Sequence, residues 1–96
     1  DVHSHSRLIL WPWGATNTVA PNGGPLQTLG RRLAWFNAYT PQQSTGLYLT
    51  DGTTIDFGYG ELGVASMVFE LGVAFFESCG TFNSTVLPDN LRALIY

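Results

Sequence analysis

The sequence contains no lysine and a single cysteine, and charged residues make up only 11% of it. Its four basic residues, Arg7, Arg31, Arg32 and Arg92, stand against seven acids, giving a net charge of −3. With neither lysine nor a basic run, the chain offers no surface for the phosphates of a nucleic acid. No stretch approaches the roughly 18 uninterrupted apolar residues that a membrane span needs. Nor is there a repeat of fixed period or a low-complexity segment. The lone Cys79 cannot close a disulfide within the chain. It reads either as a buried thiol or as half of a bridge to a cysteine elsewhere, which would require an oxidising compartment.

What is present is apolar. Of 96 residues, 45% are hydrophobic and eleven are glycine, a balance that excludes intrinsic disorder and suits one small domain. A free-standing body of this size normally covers its large relative surface with charge. So little charge implies that much of the chain is interior to something bigger. The ends agree with that expectation, since Asp1 is not an initiator Met and Tyr96 stops inside an apolar, helix-like run.

Leu8-Ile9-Leu10-Trp11, halted by Pro12 and Gly14, reads as a buried strand. Leu26, Leu29, Leu33 and Phe36 recur at helical spacing, predicting an amphipathic helix opened by Pro25 and closed before Pro41. Gly30 weakens that helix by about 1 kcal/mol relative to Ala unless close packing demands it. Residues 40–54 read as a long irregular connection, after which Thr54 caps a short helix with Asp56 in its first turn. Val64–Phe69 is apolar on both faces and runs into Glu70, the pattern of a strand covered on both sides. Pro88 starts a last helix carrying Leu91, Leu94 and Ile95. The fold class expected is α/β: part of a mixed, mostly parallel sheet flanked by helices, truncated at both ends.

Three side chains stand out chemically. Glu70 follows a six-residue run that is apolar but for Ser66, at the strand end where open α/β sheets place their ligands, and suits a general base. The alternative is a carboxylate paired with an Arg or a helix amide. His3 and His5, two apart, could share a metal ion or be incidental. Tyr48, near the end of the irregular stretch, could ride on a lid or simply pack.

Together these residues resemble the C-terminal third of the zinc metallocarboxypeptidases of the carboxypeptidase A and T type. The resemblance is carried by Asp1-Val2-His3-Ser4, Leu8–Gly14, Tyr39-Thr40-Pro41, Leu47-Tyr48, Thr54-Ile55-Asp56-Phe57 and Met67–Leu71, with 14 residues from Asp56 to Glu70. It implies a peptidase that removes C-terminal residues from peptides and proteins with Zn2+ as cofactor, residues 1–96 being one portion of its catalytic domain. His3 then matches the third zinc ligand, and Glu70 the base that takes a proton from the attacking water. Tyr48 matches the mobile tyrosine over the bound C-terminal residue, and Ser4 a further substrate contact. Ile55 matches the depth of the side-chain pocket, favouring apolar or aromatic C-terminal residues, with Leu10, Gly14 and Val68 as other walls. Asp56, beside Ile55, leaves room for some basic substrates. The upstream zinc pair and substrate-holding arginines of the family are absent, so the segment is expected to be inactive alone and to need the remainder of the domain as its partner. Phe75-Phe76-Glu77-Ser78-Cys79 resembles secreted bacterial members, which implies an extracellular setting.

Other readings stay open. Asp1-Val2-His3-Ser4-His5 also resembles the His-x-His motif of amidohydrolases, in which both histidines bind metal. Trp11, Trp13 and Trp35 could form a non-catalytic aromatic platform for sugar or peptide. A pseudo-peptidase keeping the fold without the activity is a third.

Overall fold

Four short strands, β1 (Val2–Ser4), β2 (Leu8–Trp11), β3 (Thr40–Gln43) and β4 (Val68–Leu71), join in one sheet in the order β1-β4-β2-β3. β1 pairs with β4 in parallel, as β2 does with β3, while β2 and β4 are antiparallel. The sheet is therefore mixed and mostly parallel, as expected. The computed structural model describes all residues, Asp1–Tyr96.

Because side chains alternate along a strand, β2 and β4 each feed both faces of the sheet. One face sends Ile9 and Phe69 into a core with Leu33, Ala34, Tyr39 and Ala93. That core is closed by α1 (Gly23–Asn37) and α4 (Leu87–Leu94). The other face sends Leu10 and Val68 against Ile55 of α2 (Thr54–Gly60). Only this short helix lies there, so Glu70, on the same face, faces a partly uncovered sheet. Two short helical segments, α3 (Cys79–Thr81) and the wider turn Phe82–Val86, lead into α4. No helix is long and apolar enough to cross a membrane.

Gly30 has the packing reason that its place in a helix required. A Cβ there would stand 2.6 Å from Trp11 Cε3, so α1 lies directly on the indole. The expected helix over Leu26–Phe36 is present but begins at Gly23, two residues before Pro25.

Other boundaries differ. Thr40–Gln43 is an edge strand and not part of an irregular connection, although it has no apolar alternation to announce it. The cap of α2 is Thr53, one residue before the expected Thr54; its hydroxyl accepts the Asp56 N–H at 3.3 Å. β4 spans only Val68–Leu71, because Val64 to Met67 have no strand partner, which puts Glu70 inside the strand rather than after it. Pro88 lies in the first turn of α4, but helical backbone already starts at Cys79, whose thiol is exposed and not buried.

Candidate active site

The parallel register of β1 on β4 sets His3 directly beside Glu70. Parallel neighbours in register project to the same side, and the His3 Nδ1 lies 3.6 Å from Glu70 Oε2. The imidazole is half exposed, and its Nδ1 also sits 3.0 Å from the Ser4 carbonyl oxygen, to which a protonated Nδ1 donates. Glu70 is only 6% exposed. No donor of the chain hydrogen-bonds its carboxylate, whose oxygens stay open to a cavity.

That cavity, about 290 Å³, is lined by six of the residues singled out from the sequence: His3, Leu10, Tyr48, Ile55, Val68 and Glu70. Leu10, Ile55 and Val68 pack as its apolar floor. Tyr48 is 61% exposed and stands at the rim on residues 47–52, which carry no regular structure, so the ring has little to hold it in place. Residues that sequence reasoning missed complete the wall: Asp1, Ser44, Leu47, Thr50, Gly52, Thr53 and Thr54. The strand period contained a signal for Asp1, which is two residues from His3 and thus on its side of the sheet.

Three expected residues are not on this wall. Ser4 alternates away from His3, donates its hydroxyl to the Phe75 carbonyl at 3.0 Å and lines a different, more apolar cavity. Gly14 stands behind the wall, where its carbonyl accepts the Thr50 N–H at 3.0 Å. Its N–H, like that of Ala15, is given to the Asp56 carboxylate, at 2.8 and 2.9 Å. Asp56 therefore clamps the loop after β2 and has no oxygen in the pocket beside Ile55. Charge-assisted bonds to backbone N–H groups are among the stronger ones a surface loop can have.

His5 follows β1 and meets the edge of Phe75, with ring centroids 6.0 Å apart, away from the cavity wall. The tryptophans share no platform. Trp11 is buried with Ala20 and Leu26, Trp13 meets Tyr59, and Trp35 meets Phe36 on the outer face of α1.

A zinc carboxypeptidase of Saccharothrix mutabilis subsp. capreolus is 44% identical over 77 residues, covering 74% of this chain and 18% of that protein. The chain is a relative of the zinc carboxypeptidases. The fold agrees. Bovine thrombin-activatable fibrinolysis inhibitor, solved in complex with tick carboxypeptidase inhibitor, superposes with a TM-score of 0.83 at 20% identity. That match covers 97% of this chain and 35% of the other. A second structure of thrombin-activatable fibrinolysis inhibitor gives a TM-score of 0.67 at 24% identity, over 96% of this chain and 24% of the other. No family model matches the chain.

As a zinc carboxypeptidase relative, the chain can be tested for its fit to the metal. A catalytic zinc takes three protein ligands. Nowhere do three His, Cys, Asp or Glu side chains of this chain converge. The His3 imidazole, at an open cavity beside the Glu70 carboxylate, fits one ligand of such a site.

Proposed function

We propose that this chain is the part of a zinc metallocarboxypeptidase catalytic domain that supplies one zinc ligand, the general base and the pocket for the departing residue. His3 is the ligand, and its partners come from the remainder of the domain. Zinc, when bound, polarises the scissile carbonyl and acidifies a water. Glu70 accepts that water's proton at its open carboxylate oxygen and passes it to the leaving amine. Rigid strands hold the carboxylate, so its position does not depend on a loop. Tyr48 swings over the bound C-terminal residue and excludes bulk water. Leu10, Val68 and Ile55 receive an apolar or aromatic side chain. The observation that carries this reading is the register of His3 on Glu70, two chemically distinct groups far apart in the sequence brought to one cavity.

On this reading the protein acts on peptide and protein C-termini outside the cell, and the 96 residues alone have no turnover. In the full-length gene product, Glu70→Gln keeps bound zinc but lowers peptidase turnover about 10²- to 10⁴-fold, the usual contribution of general acid–base catalysis. Turnover is read by mass spectrometry of shortened peptides, and metal content by elemental analysis. Undiminished turnover in that variant would remove Glu70 from the mechanism. A wild-type protein that never shortens a peptide from its C-terminus would end the reading itself.

A further inference from the structure

The strand that carries Glu70 ends at Leu71, and the link that follows, 72–78, has no regular structure. A carboxylate near the end of this link returns to its beginning. Glu77 Oε1 accepts the Val73 N–H at 2.7 Å and the Ala74 N–H at 3.0 Å. Room for that approach comes from Gly72, whose φ is +67° and where a Cβ would stand 2.6 Å from the same oxygen. Two successive backbone donors on one anion make charge-assisted bonds, stronger than those between neutral groups. Glu77 forms no ion pair, so these N–H groups are what its charge answers.

The closed turn also holds β1. The Gly72 carbonyl oxygen accepts the Ser6 N–H at 3.3 Å, and the Phe75 carbonyl oxygen accepts the Ser4 hydroxyl at 3.0 Å. β1 spans only Val2–Ser4 and has β4 as its one neighbour in the sheet. So short a strand has little of its own to fix its register, and a slip of one residue takes His3 away from Glu70. Both ties from the turn reach β1 at its last residue or just beyond, next to His3.

We infer that Glu77 is a positioning residue: by closing the turn after β4, its carboxylate keeps the strands of His3 and Glu70 in register. This inference rests on the carboxypeptidase reading above. Glu77 is not on the wall of the cavity that Glu70 faces, so it acts through the turn alone. The floor that receives the departing side chain, Leu10, Ile55 and Val68, packs away from the turn. Loosening the turn therefore moves kcat and zinc affinity and spares KM.

The test uses the full-length product. Contacts one layer out from a metal site typically carry about 10- to 100-fold in affinity or activity. Glu77→Ala is expected to lower kcat at saturating zinc about 10-fold or more, with KM within about threefold of wild type. Its zinc affinity, read by competition with a chelator, falls by a similar factor. Hydrogen exchange across residues 72–76, followed by mass spectrometry, rises in the same variant. Glu77→Gln, whose amide oxygen can accept the same two N–H groups, restores most of all three. Faster exchange in Glu77→Ala with kcat and zinc affinity unchanged makes the turn a structural feature alone and overturns the inference. Unchanged exchange overturns it too, because the bonds then do not hold the turn. So does a Glu77→Gln enzyme as impaired as Glu77→Ala, which marks general damage to the fold. In each of these cases a wild-type enzyme that shortens peptides leaves the carboxypeptidase reading standing. A wild-type protein that shortens none overturns that reading, and the inference with it.

Discussion

Two carboxylates of this chain show how position decides chemistry at the scale of a residue. Asp56 is saturated by backbone N–H groups and so is a structural clamp. Glu70, on a buried strand, meets no donor of its own chain and is left with the capacity to take a proton. Sequence reading singled out Glu70 because an acid directly after an apolar run is conspicuous. It misjudged Asp56 because the partners of that residue lie 41 and 42 positions away, and no local pattern announces them. Gly30 presents the converse case, in which the sequence posed the question and the packing answers it. Adding a Cβ at Gly30 gains about 1 kcal/mol of helix propensity but presses on Trp11, and overpacking a core costs about 1–3 kcal/mol. Gly30→Ala is expected to lose about 1 kcal/mol net. A lower midpoint in chemical denaturation of the full-length product checks this, and a raised midpoint would show that the indole moves freely.

Among elements, register is what makes the candidate site. Shifting β1 by one residue on β4 would turn His3 to the far face and bring Ser4 to Glu70. The sequence made β2 legible through its unbroken apolar run and α1 through its periodicity. β3 was hidden, because Thr-Pro-Gln-Gln at a sheet edge needs neither apolar alternation nor every N–H. The far end of β4 is secured from the helical side. Tyr39 Oη accepts the Gly72 N–H at 2.9 Å and the Asn90 side-chain amide at 2.8 Å. Asn90 Oδ1 in turn accepts from Asn37 at 2.9 Å, joining α1, α4 and the strand that holds Glu70. All three side chains of this network are buried. Asn90→Ala strands the Asn37 amide and removes a donor from Tyr39, which is expected to cost about 2–3 kcal/mol. Denaturant titration reads the loss. Because the network ends at Gly72, hydrogen exchange of the β4 amides should rise with it more than that of the β2–β3 pair.

For the molecule as a whole, the shortage of charge and the surface describe one condition. Trp35, at 70% exposed, and Phe76, at 89%, head a set of large apolar side chains open to solvent that also includes Phe75, Ile95 and Tyr96. Monomeric proteins seldom leave so much apolar surface uncovered in contiguous patches. With only 11% charged residues, little repulsion opposes association of one copy with another. The relatives supply the context, since the chain spans 18% of the curated zinc carboxypeptidase and 35% of the better-matched structure. If the remainder of a catalytic domain covers these side chains, the 96 residues by themselves should self-associate and bind a hydrophobic dye, whereas the full-length product should do neither. Light scattering coupled to size exclusion gives the comparison directly: a mass above 10.5 kDa for the isolated chain, and a monodisperse peak for the whole protein. A monomeric, dye-silent isolated chain would mean that this surface needs no cover, and the inference from low charge to a larger body would fail with it.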